Sequence, residues 1–237
     1  MRLTELVAAC VCCVAVTAVT PSARAASSAE LADLAARIDY GFYNDDTHAI
    51  DAARAALGRL GDGPAVRYYR DYASLRRAQL NPADRVSARE CAEHEVPADL
   101  APPIAAEAWI LVAACSVVGQ QSVRRVEQAL ARARELDKRN PRLGLVEAWI
   151  MQHGAAGDAV ANKDLATKLQ QTVEAFDTWR PPANGADWGE AEALAALAEA
   201  TLARGETRAA RDLIERALLL VPDYRMAVEL RARLRGN

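Results

Sequence analysis

Apolar residues recur along this chain at the three- and four-residue spacing of a helix, segment after segment. In residues 29–43, Leu31, Leu34, Ala35, Ile38 and Phe42 fall on one face. Asn44-Asp45-Asp46-Thr47 then offers capping side chains for a second helix ending near Leu60. Gly61-Asp62-Gly63-Pro64 reads as a turn, and a third helix is expected over 65–80. Asn81-Pro82 predicts an N-cap followed by proline at the first helical position, opening a fourth helix that runs to Glu95. Residues 96–103 hold three prolines and read as a linker. Further helices are expected over 105–118, 122–136, 143–153, 163–179, 187–204, 207–220 and 223–234, with loops at 154–158 and 180–185. No segment sustains period-two alternation, so no sheet is expected. The fold class predicted is all-α, built as tandem antiparallel helical hairpins.

The first 25 residues follow a different pattern. Leu6 to Val19 is an apolar run interrupted only by Thr17, too short at 14 residues for a membrane span. Ala23-Arg24-Ala25 follows it as an A-x-A processing site. A cleavable signal peptide over 1–25 is therefore expected, and with it a periplasmic or secreted destination. Val7-Ala8-Ala9-Cys10 resembles a lipobox, but only nine residues precede Cys10 and the apolar run continues past it. A lipid anchor there is not expected. Cleavage near Ala25 removes Cys10, Cys12 and Cys13 and leaves Cys91 and Cys115. In an oxidising compartment these two have one intramolecular pairing, whose 25-residue loop is worth roughly 3 kcal/mol in the chain-entropy picture. The alternative is a pair of free, buried helix cysteines. Behind the leader, residues 26–100 read as N-terminal hairpins and 101–237 as repeats closed by a capping helix.

The repeat is clearest over residues 191–224. Leu194, Leu197 and Ala198 give a large-large-small pattern on one helix, Gly205 occupies the turn, Ala210, Ile214 and Ala217 mark the next helix, and Pro222 ends it. This 34-residue window resembles a tetratricopeptide repeat. Its small residues let two helices approach closely, and Gly205 removes the side-chain penalty of a left-handed helix end. A looser match over 105–138 has Ile110 and Ala114 on its first helix and Val126, Leu130 and Ala133 on its second; Gln121 replaces the turn glycine and Lys138 the proline. The hairpin between them, 143–179, is irregular in length. The resemblance implies a right-handed solenoid with a concave surface that receives a protein or peptide partner.

Composition narrows the chemistry. With 29 Lys+Arg against 32 Asp+Glu, a net charge of −3 does not suit a nucleic-acid binder, which needs a basic face. His48, His94 and His153 are scattered, and the Glu90, Cys91, Glu93, His94 cluster has no second Cys or His pair to complete a zinc site. The acid pairs Asp45-Asp46 and Glu190 with Glu192 sit where helices start, where the helix dipole favours them. No nucleophile elbow, phosphate loop or haem attachment motif occurs, so neither catalysis, cofactor nor metal is expected. Tyr68 and Tyr72 lie four apart with Arg76 one turn on, a stripe that suits either hairpin packing or contacts in the concave groove. Trp109, Trp149 and Trp188 are expected in the core between repeats. The function expected is an exported tetratricopeptide-like binding or scaffold protein of the cell envelope. A second expectation is a periplasmic accessory component of a solute transporter holding a small ligand, because the layout is similar to the tetratricopeptide-type accessory proteins of tripartite solute transporters.

Overall fold

Hairpin follows hairpin through the whole array. The computed structural model describes residues 26–154, 159–181 and 187–235; the expected leader with Cys10, Cys12 and Cys13, and most of the loops at 154–158 and 180–185, lie outside them. Eleven helices occupy the described residues: α1 (Ser28–Tyr43), α2 (Thr47–Gly58), α3 (Pro64–Leu80), α4 (Arg85–Glu93), α5 (Pro102–Val118), α6 (Val123–Leu136), α7 (Pro141–Gly154), α8 (Ala159–Thr178), α9 (Glu190–Ala203), α10 (Thr207–Leu220) and α11 (Arg225–Arg235). Five consecutive pairs pack together, and α11 closes the array against α9 and α10. First helices also touch the next first helix, α1 on α3, α3 on α5 and α5 on α7. Among the described residues no helix is long and apolar enough to cross a membrane.

Local chemistry explains most of the boundaries. Ser27 caps α1 by accepting the Glu30 N–H, and Asp46 caps α2 by accepting that of Ala49. Prolines open α3 and α5, where a missing N–H costs nothing. Gly205, at φ +78°, takes the left-handed turn that joins α9 to α10. One boundary differs from expectation. Asn81 ends α3 by donating its N–H to the Arg77 carbonyl, Pro82 lies in the following turn, and α4 starts three residues later under an Asp84 cap. Asp84 is favoured because its carboxylate accepts the Ser87 N–H while also pairing with Arg77.

The small residues of the repeat pattern do what close approach requires. Ala198, Ala210 and Ala217 are fully buried together with Leu194, Leu197 and Ile214, and Ile110, Ala114, Val126, Leu130 and Ala133 are buried in the same way around α5 and α6. Pro222 is exposed in the turn after α10. Cys91 of α4 and Cys115 of α5 form a disulfide, with Cα atoms 5.9 Å apart. It ties the second hairpin to the third.

The array also meets itself. The Phe42 and Tyr43 rings at the end of α1 lie 6.4 and 4.9 Å from Tyr224, just ahead of α11. Asp45 pairs with Arg225 at 3.0 Å. The first helix therefore reaches the last, across almost the whole sequence.

Candidate functional site

Long charged and aromatic side chains fill the space between α1, α3 and α9. Arg76 of α3 has no solvent exposure, ion-pairs with Glu192 of α9, and donates to Gln79 Oε1 at 2.9 Å. Its guanidinium lies 4.0 Å from the Phe42 ring centroid, 5.0 Å from Tyr72 and 5.1 Å from Trp188. Burial opposes its charge, but Glu192 and the surrounding phenol and carboxylate groups outweigh burial and hold its pKa well above the ordinary value. The other oxygen of Glu192 accepts the Tyr43 hydroxyl and the Gly189 N–H, each at 2.9 Å.

A second buried pair lies beside the first. Arg142 of α7 donates to Glu107 of α5 at 2.9 Å and to the Trp188 carbonyl at 2.8 Å. Asn140 donates to the same Glu107 oxygen at 2.6 Å, and the Tyr68 hydroxyl reaches the other at 3.5 Å. The Arg142 guanidinium lies 4.5 Å from the Trp179 ring and 5.0 Å from Trp188. Trp188, two residues ahead of α9, is thus flanked by both arginines. Gly189 makes this approach possible: its φ is +105°, and a Cβ there would come within 2.9 Å of Phe176 and 3.1 Å of Leu145.

Next to this ionic core a cavity of about 620 Å³ opens between α1, α3 and the start of α5. Leu31, Ala32, Ala35 and Ala36 form its α1 wall, Tyr68 and Tyr69 line it from α3, and Ile104 lines it from α5. Three carboxylates border it: Asp39, Glu107 and Asp187. Asp39 accepts a hydrogen bond from the Tyr72 hydroxyl. Burial pushes its pKa up to about 6, with Arg76 and the Tyr72 hydroxyl pulling the other way and Glu192 and Asp187 adding to the rise. A larger groove of about 870 Å³ runs between α7 and α8, lined by more cationic than acidic side chains. Glu147 there pairs with Lys168 at 2.8 Å and also with Arg134. Burial would raise the Glu147 pKa, and these two cations overcome it and lower it.

The residues singled out in the sequence go to three places. Tyr72 and Arg76 have no exposure and belong to the interior; Tyr68 is buried but lines the cavity. The eight repeat residues form the α9–α10 hairpin and its turns. The cluster around Cys91 is dispersed: Cys91 is in the disulfide, Glu90 pairs with Arg54 at 2.7 Å, and His94 bonds Asp71. Among the described residues no group of three His, Cys, Asp or Glu side chains is placed to hold a metal ion. Trp109 and Trp149 are half-buried and Trp188 is fully enclosed. Asp39, Glu107, Arg142 and the full role of Glu192 are additions from the structure. Glu107 carried a signal, as the sole charge in the apolar run of α5. Against this geometry, no protein-family model, curated protein or solved structure matches the chain.

Proposed function

We propose that this chain is a non-catalytic, tetratricopeptide-like binding protein of an oxidising compartment in the cell envelope, and that it holds a small ligand in the cavity between α1, α3 and α5. One observation carries the reading. The surface on which a solenoid would receive an extended peptide is occupied by Arg76, Glu192, Arg142, Glu107 and Trp188, while the adjoining cavity has the volume and apolar walls of a small-molecule site. The hairpin order, the buried alanines of α9 and α10 and the left-handed Gly205 support the tetratricopeptide-like assignment. The Cys91–Cys115 disulfide supports the oxidising compartment. Such a protein suits the role of an accessory that retains a solute for a transporter. The buried pairs beside the cavity, Arg76 with Glu192 and Arg142 with Glu107, are committed to one another, which favours binding over turnover.

Native mass spectrometry of the exported protein tests this. A bound small molecule is expected, and its loss in Ala32→Trp, which fills the cavity from an exposed position of α1, would locate it. Retention of the molecule by the variant would overturn the assignment. A protein scaffold is the second reading, favoured by the exposed apolar residues Leu219 (82%) and Leu220 at the end of α10. A partner protein that co-purifies with the wild type and is lost in Leu219→Glu would support it.

A further inference from the structure

We infer that the α1–α3–α5 cavity selects a small organic cation, a protonated amine on a compact apolar body, and that Asp39 holds the ammonium group. This rests on the reading of the cavity as the ligand site, and it adds the charge and class of the ligand.

The argument is one of charge complementarity. Around the cavity and its floor lie the carboxylates Asp39, Glu107, Asp187 and Glu192, against the guanidinium groups of Arg76 and Arg142. Arg76 is committed to Glu192, and Arg142 to Glu107. Asp187 approaches Arg142 only to 3.9 Å, with its side chain in solvent. Among the described residues the negative charge left over is therefore that of Asp39 and Asp187, both on the cavity lining. Among the described residues Asp39 receives one hydrogen bond, from the Tyr72 hydroxyl to Oδ1. A carboxylate has about four acceptor positions, so capacity remains for an ammonium donor. Leu31, Ala35 and Ile104 supply an apolar surface for the rest of such a ligand.

The same placement disfavours the other ligand classes. Among the described residues an anion would face Asp39 and Asp187 with no uncommitted cation on the cavity lining, and a neutral alcohol would leave the carboxylate uncompensated. Burial already raises the Asp39 pKa to about 6, so its charge is held there against the environment. The groups acting on it are Arg76, Tyr72 and Tyr69 from α3, Glu192 from α9, Asp187 ahead of α9, and Tyr43 on α1 itself. An ammonium ligand stabilises the ionised form, so its binding weakens as pH falls through the Asp39 pKa.

Calorimetric titration of the full chain, disulfide intact, with phenethylamine, 2-phenylethanol and 3-phenylpropanoate tests the inference. The amine should bind at least about tenfold more tightly than the alcohol, since charge-assisted hydrogen bonds are the stronger ones, and the carboxylate should not bind. Asp39→Asn, which preserves an acceptor for Tyr72, should bring amine and alcohol to similar affinity. In the wild type, amine affinity should fall roughly tenfold between about pH 7.5 and pH 5 while alcohol affinity stays level. This profile needs no variant to fold. Equal binding of amine and alcohol, or preference for the carboxylate, overturns the cation inference and leaves the cavity as a ligand site. If none of the three probes binds, the cavity assignment falls and the cation inference with it.

Discussion

Replacing both members of the Arg76–Glu192 pair should cost well under the sum of the two single replacements. Arg76 is fully enclosed and the Glu192 side chain is 6% exposed, so neither group regains water when its partner is removed. Breaking a buried pair from one side costs about 3–5 kcal/mol. For Glu192→Met the loss should lie at the upper end, because the Tyr43 hydroxyl and the Gly189 N–H lose their acceptor along with the guanidinium. Arg76→Met should lie at the lower end, since Glu192 keeps those two donors. Against a total stability of about 5–15 kcal/mol either change is severe. The double variant removes both charges and leaves a volume that methionine fills, so its loss should be smaller than the sum of the single losses by about 3 kcal/mol. Urea unfolding, followed by tryptophan fluorescence and far-ultraviolet circular dichroism, gives the three values; Trp188 lies against the Arg76 guanidinium and reports on the site. Single variants that each lose under about 1 kcal/mol, or a double variant whose loss equals the sum, would refute the claim that the pair acts as a buried unit.

Two further outcomes follow from the same geometry. Asp39 binds its proton more tightly folded than unfolded, so its charge destabilises the fold increasingly as pH rises from about 4 to about 6. Asp39→Asn should therefore stabilise the protein by up to about 3 kcal/mol at pH 8 and by little near pH 4, a difference that thermal unfolding across pH would detect and that parallel curves would exclude. Replacing Cys91 and Cys115 by serine should lower stability by roughly 3 kcal/mol, given the loop they close. An unchanged midpoint in urea would show that the second and third hairpins hold together without their covalent tie.

The hairpins were legible in the sequence because apolar spacing and proline or glycine punctuation are local signals. The α4 boundary shows their limit: Asn81-Pro82 and Asp84 are both plausible starts, and the choice was made by Arg77, which pairs with Asp84 from the previous helix. Long-range pairing was not legible at all. Glu192 has a sufficient local explanation as a first-turn acid, and it does accept the Gly189 N–H. Its partner Arg76 lies 116 positions away, and periodicity reports which face a residue occupies, not what it meets there. The Tyr68, Tyr72 and Arg76 stripe was visible as a stripe, but whether it faced solvent depended on α9 and Trp188 covering it. Glu107 was the readable exception, since a lone acid in an otherwise apolar helix must find a partner inside. Asp39 carried no such mark, because its significance comes from which arginines are already engaged.

The contact between α1 and the α9–α11 end sets this protein apart from an open stack of repeats. An open stack can gain or lose a unit at little cost, since each unit touches only its neighbours. Here Tyr43 grips Glu192 and Asp45 grips Arg225, so an inserted hairpin would pull apart contacts made by residues more than a hundred positions away. The number of hairpins is consequently fixed by geometry.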